Sequence, residues 1–236
     1  MKRYSIIRSF CVLVTLSWCM ISCDGFLKES PRDALPEEEG YRNITELYLN
    51  AVASLYNYIG GNSDSQGLQG TGRGIYDLNT FTTDEAIMPT RGGDWYDGGF
   101  WQGLFLHKWG INNDAIQATW EYLYKVVMLS NKSLEQIESY ALTHADAELP
   151  AYRAEVRALR AMYYYYLTDL FGSIPLVLSS KVASKDIVLS ERENIFNFIF
   201  KELQETAPLL HEFAGALLAD SRHTRDIVRS IAPQCE

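Results

Sequence analysis

Cysteine is scarce: four in 236 residues, with Cys11, Cys19 and Cys23 crowded at the N-terminus and Cys235 beside the last residue. That leaves little material for a disulfide framework or a cysteine-bound metal. Histidine is as scarce, and His107, His144, His211 and His223 show no ligand spacing such as i, i+4, so no metal is expected. Positive charge is also short. Against 30 Asp and Glu stand 21 Lys and Arg, and a pI near 5.0 offers no basic field for a polyanion, so nucleic acid is not an expected partner. No Gly-x-Ser-x-Gly elbow occurs. Asp84 and Glu85 are adjacent carboxylates, and neighbours in sequence seldom lie across a scissile bond, so a cap or a surface hydrogen bond is their expected role. Gly70 to Gly74 has neither a preceding strand nor a following Gly-Lys-Ser/Thr, so no nucleotide or other cofactor is expected. The chain therefore does not read as an enzyme.

Beyond the N-terminus no run approaches the ~20 apolar residues of a membrane-spanning helix. Residues 1–22 are the exception in character: Lys2, Arg3 and Arg8 lead into the apolar stretch Ser9 to Ile21, which is too short to span and reads as a secretory signal. Its end, Met20-Ile21-Ser22-Cys23, resembles a lipobox, with Cys23 as the acylated residue. Several acyl chains such as palmitate hold a protein firmly to a leaflet, so a lipid anchor is expected. Losing three cations leaves 18 basic against 30 acidic residues, a formal −12, and Cys235 as the one thiol. Residues 23–41 have two prolines, many charges and no period, as suits a tether.

From Ile44 the pattern becomes helical. Ile44, Leu47, Tyr48, Ala51, Val52, Leu55, Tyr56 and Ile59 recur at spacings of three and four, predicting a helix that ends at Gly60-Gly61. Asn113-Asp114 can cap a longer helix to about Tyr140, carrying Ile116, Trp120, Leu123, Val127, Leu134 and Ile137. Pro150 suits the first turn of a third helix, stopped by Gly172 and Pro175. With Tyr163 to Tyr166 consecutive, that helix is apolar or aromatic almost all round and belongs between neighbours. A fourth runs from Glu191 to Ala207, with Pro208 expected to end it. The fold class is all-α: helical hairpins of tetratricopeptide type, 42–59 with 113–140 and 150–171 with 191–207.

Between the first two helices lies a long irregular segment rich in aromatics and glycine. Residues 60–74 read as a mobile loop, and residues 75–112 as irregular chain. Long loops of this kind are often functional. Trp95, Tyr96 and Trp101 can offer ring faces to a sugar, with Arg91, Asp94 and Asp97 hydrogen-bonding its hydroxyls. The same tryptophans can equally pin the loop to the scaffold.

The order of several motifs resembles the SusD/RagB nutrient-binding lipoproteins of the Gram-negative outer membrane. They are Cys23-Asp-Gly-Phe-Leu27, Thr83-Asp-Glu85, Pro89 through Gly99, His107-Lys-Trp109, Trp120-Glu-Tyr-Leu-Tyr124 with Asn131, Glu155 through Ala161, Asp169 through Leu176, and Lys201-Glu-Leu203. The resemblance implies a helical-repeat scaffold over residues 42–208, a shallow site for an oligosaccharide or, in second place, a peptide, and binding without cleavage. It implies a lipid-anchored place at the outer membrane and a SusC-like TonB-dependent transporter as partner. Residues 209–236 diverge from the family, which suggests truncation or a frameshift. A helical-repeat adaptor lipoprotein that binds no ligand is the alternative.

Overall fold

In the computed structural model the described residues are 41–60, 67–68, 74–89 and 96–217, with side chains described to residue 210. The signal, Cys23, almost all of the tether, most of the 60–74 segment, Arg91, Asp94, Trp95 and the tail beyond Leu217 lie outside them.

The first helix, α1, begins where Asn43 accepts a hydrogen bond from the Glu46 N–H at 2.9 Å, and runs in three stretches, Ile44–Leu47, Tyr48–Ala53 and Ser54–Gly60. The middle stretch is π-helical rather than α-helical. Side chains explain the widened turn: the Asn50 amide donates to the Glu46 carbonyl at 2.9 Å and the Ser54 hydroxyl to the Asn50 carbonyl at 2.6 Å. Both compete for acceptors of the regular ladder. Leu47, Ala51, Val52 and Leu55 nevertheless point inward, as the spacing predicted. Leu68 returns to the same core, its N–H bonded to the Ile59 carbonyl at 3.0 Å.

Residues 75–112 are less irregular than expected. Two short helices, α2 (Ile75–Phe81) and α3 (Phe100–Phe105), the latter entered through a 3-10 turn at Asp97–Gly99, carry their own small core of Leu78, Trp101 and Leu104 against Ala115. Neither is long enough to be stable alone, so tertiary packing makes them.

The scaffold proper is α4 (Asp114–Ala141), α5 (Leu149–Phe171) and α6 (Arg192–Leu217). Asn113 caps α4 by accepting from the Ala115 and Ile116 N–H groups, each at 3.1 Å, and Pro150 lies in the first turn of α5. Gly172, at φ 75°, ends α5 in a left-handed conformation that a β-carbon disfavours. Helix α5 packs against both α4 and α6, and Tyr163 and Tyr164 are fully buried while Tyr165 and Tyr166 are partly so. Trp120 is partly buried, its ring edge-on to Phe171 at 4.9 Å.

The chain between α5 and α6 is bound down as a strap. Strands β1 (Ile174–Pro175) and β2 (Leu189–Ser190) pair antiparallel, Ile174 opposite Ser190. The Tyr124 hydroxyl donates to the Pro175 carbonyl at 2.7 Å, and the Asn131 amide to the Val177 carbonyl at 2.9 Å. Glu135 accepts from the Ser180 hydroxyl and N–H and the Ser179 hydroxyl, and these bonds, Ser180's first, hold its carboxyl below the usual range.

One expectation is corrected: Pro208 does not end the last helix, which continues to Leu217. Proline removes the bond to the carbonyl four residues back, but Gln204 and Pro208 are both exposed, so water can serve that carbonyl.

Candidate functional site

The aromatic module between α1 and α4 holds a polar cleft of about 380 Å³. Asp97, Lys108, Asn112 and Asp114 line it over a floor that includes Gly99 and Gly103. Its wall is set by an uncommon backbone. Asp97, Gly98 and Gly99 have successive φ values of 43°, 64° and 85°, all left-handed. The Gly99 N–H closes the turn on the Tyr96 carbonyl at 2.6 Å. Glycine takes this conformation freely; aspartate takes it at a cost and needs support.

That support comes from α3. The Trp101 indole N–H donates to Asp97 Oδ2 at 2.6 Å. Trp101 is itself 6% exposed, with Phe81 and Phe100 rings at 4.8 and 4.9 Å in edge-on contact, so no ring face is open to a ligand. Of the six loop residues singled out from sequence, the described ones thus separate. Asp97 lines the cleft, Trp101 lies beneath it, and Tyr96 is 53% exposed with its hydroxyl beside Gly99. Trp95, Arg91 and Asp94 fall outside the described residues.

The sequence reading missed Lys108, Asn112 and Asp114. Lys108 belongs to the His107-Lys-Trp109 motif, and its N–H bonds the Gly103 carbonyl at 2.7 Å. Asn112 and Asp114 flank the α4 cap Asn113; of the two, the sequence offered a capping role for Asp114 and none for Asn112. His107, also left-handed at φ 53°, clasps the module: its Nε2 lies 2.6 Å from the Thr82 carbonyl and its ring 5.2 Å from Trp109. Asp84 and Glu85 are exposed on the turn after α2. No cluster able to hold a metal ion occurs among the described residues.

Chemically, the residues lining the cleft carry carboxylate acceptors, an ammonium donor and an amide that does both, the inventory that hydroxyls with donor and acceptor capacity can satisfy.

A second polar set lies in the scaffold. Arg160 donates to Asn131 Oδ1 at 2.8 Å and to Glu202 Oε2 at 2.9 Å, and Arg157 holds Glu202 Oε1 at 2.7 Å and also Glu205. The Arg157 guanidinium holds the Glu205 carboxyl below its usual range. These residues join α4, α5, α6 and the strap. Asn131, Arg157, Arg160 and Glu202 also belong to motifs that carry the family resemblance, so those motifs encode scaffold. Asn131 is fully buried in this set and Asn43 caps α1, which accounts for both asparagines that match a glycosylation sequon.

A hairpin scaffold of helices with a small glycine-rich module presenting a polar cleft defines a class of helical-repeat binding fold. A family profile described as starch-binding and associating with outer membrane matches residues 26–215, and the chain belongs to this SusD-like family. Among curated relatives it is 26% identical over 213 residues to the starch-binding protein SusD of Bacteroides thetaiotaomicron, covering 86% of this chain and 36% of that one. It is 25% identical over 204 residues to SusD-like protein P25 of Formosa agariphila, covering 84% and 37%. The chain thus spans little more than a third of those relatives' length. The fold matches a laminarin-binding SusD-like protein with a TM-score of 0.55 at 21% identity, over 72% of this chain and 34% of that one. A SusD-like protein of Bacteroides fragilis matches with a TM-score of 0.57 at 20% identity, over 77% and 32%. No helix of the described residues is long and apolar enough to cross a membrane.

Proposed function

We propose that this chain takes part in capturing an oligosaccharide at the outer membrane, holds it at the Asp97–Asp114 cleft and passes it to a SusC-like TonB-dependent transporter. The observation that carries the reading is the cleft itself: acidic, basic and amide groups on a glycine floor, beside an exposed Tyr96. Hydroxyls bond in the plane of the polar groups and the phenol ring takes the C–H face of a sugar. The family description and the glucan named for two similar proteins, starch and laminarin, support a glycan over a peptide. Cys23 supplies the lipid anchor in this reading. No covalent step is involved.

The adaptor reading has its own observation. Phe196 and Phe200 on α6 and Val188 and Leu189 before it are exposed, a surface suited to another protein. Electrophoresis through gels containing soluble starch, laminarin or casein peptides separates the two. Retardation by a glucan alone supports capture, and migration unchanged in every gel supports the adaptor.

A further inference from the structure

We infer that Trp101 is a positioning residue for ligand capture: its buried indole N–H holds the Asp97 carboxylate in the orientation that the cleft presents to a hydroxyl pair. The inference rests on the glycan-binding reading above and assigns Trp101 a part in it without ligand contact.

Three observations meet at this pair. Asp97 carries a left-handed backbone that a non-glycine residue adopts at a cost, and such conformations persist where the surroundings over-determine them. The side chain that over-determines it is four residues along, on the next turn, with the N–H to carboxylate bond at 2.6 Å. Trp101 in turn is fixed by Phe81, Phe100, Leu78 and Leu104, so the donor has one available position. A carboxylate offers about four acceptor positions, and an indole on one oxygen sets the plane in which the others lie. Asp97 is exposed at the cleft while its tether is buried. A salt-bridging cation at the mouth would leave the carboxylate free to turn; a buried indole does not. Fixing an acceptor before the ligand arrives removes an ordering cost from binding.

The test is a double-mutant cycle on the whole chain, with soluble starch and laminarin as probes and Kd read by calorimetry. Trp101→Phe keeps an aromatic ring in the core while removing the donor together with some of the indole's volume. It is expected to weaken binding about three- to tenfold, the net scale of one intramolecular hydrogen bond. Asp97→Ala is expected to weaken binding at least as much, and Trp101→Phe added to Asp97→Ala to cost nothing more. With Asp97→Asn, whose amide oxygen still accepts from the indole, Trp101→Phe remains costly. A purely structural Trp101 would weaken binding equally in every background. Unchanged affinity in Trp101→Phe, or an additive loss on Asp97→Ala, overturns the inference while leaving the glycan reading intact. Binding of neither glucan by the wild-type chain overturns both. If Trp101→Phe does not fold, benzothienylalanine at the same position keeps the indole shape without its N–H, and the same comparison applies.

Discussion

Tyr164 and Val177 exchange two hydrogen bonds: the phenol donates to the Val177 carbonyl at 2.7 Å and accepts from the Val177 N–H at 2.8 Å. One side chain of α5 thereby satisfies both main-chain groups of a buried strap residue that has no neighbouring strand to do so. Burial raises the Tyr164 phenol to about 12, so it stays protonated and able to donate throughout the ordinary pH range. Tyr164→Phe keeps the ring and orphans a buried N–H. It is expected to lower unfolding free energy by about 1–3 kcal/mol, measured by urea denaturation, with the m-value unchanged. A loss within error would show that the strap is held by Tyr124, Asn131 and Glu135 without it.

The Arg160 and Glu202 pair crosses from α5 to α6 with both side chains more than nine-tenths buried. Removing one partner leaves a charge in the core. Glu202→Ala is expected to cost about 3–5 kcal/mol, whereas Arg160→Met with Glu202→Leu is expected to cost less, because no unpaired charge is left in the core; what remains is the Asn131 oxygen without its donor and Arg157 held by Glu205 alone. Equal losses for the single and the paired change would contradict this.

Glu155 faces α1 from α5, beside Tyr48, Tyr56 and Tyr152, and the Tyr56 hydroxyl donates to it at 3.3 Å. Burial pushes its carboxyl from 4.5 to about 7, only partly offset by the Tyr56 bond. The folded state therefore binds this proton more tightly than the unfolded chain. Its stabilising contribution is complete below about pH 4.5, declines as pH rises through 7 and is gone above it, a total of about 3 kcal/mol. Glu155→Gln, neutral at every pH, is expected to flatten that decline and to be the more stable form at pH 8, read from denaturation midpoints at pH 5, 6, 7 and 8. Parallel declines for both proteins would place the titration elsewhere.

Tyr96 and Trp101 are five residues apart and differ in environment: the first is 53% exposed and the second 6%. Trp101→Ala empties part of the small core and is expected to destabilise by about 3–5 kcal/mol. Tyr96→Ala is expected to leave stability within about 0.5 kcal/mol and to reduce retention on a glucan. Thermal melts paired with affinity gels read both, and a Tyr96→Ala protein retained like the wild type would remove this phenol from the site.

The long elements were legible because local signals and packing agree in them. Asn113 stands where a cap is needed, Pro150 in a first turn and Gly172 at a left-handed stop, and the apolar spacing of α4 picks out Leu123, Val127 and Ile137 of its buried residues while Ile116, Trp120 and Leu134 are partly buried. The motifs resembling the family were legible too, since Asn131, Arg160 and Glu202 are drawn together by the scaffold they build. Less visible was α2 and α3, of seven and six residues, which exist through contact with Ala115 of α4 and leave no period of their own. Pro208 misled because its penalty depends on whether the freed carbonyl meets water, a fact of exposure. In the candidate site, Asp97 could be singled out by type and company. Its tie to Trp101 could not, because both ring stacking on a ligand and ring burial suit the same residue, and only the packing of Phe81 and Phe100 decides between them.

Hydrogen–deuterium exchange with and without soluble starch or laminarin tests the central claim most directly. The account predicts slowed exchange over residues 96–114 on adding glucan, with α4 to α6 beyond their first turns unchanged. Slowing confined to the exposed face of α6 around Phe196 and Phe200, or no change with either glucan, would contradict capture at this cleft.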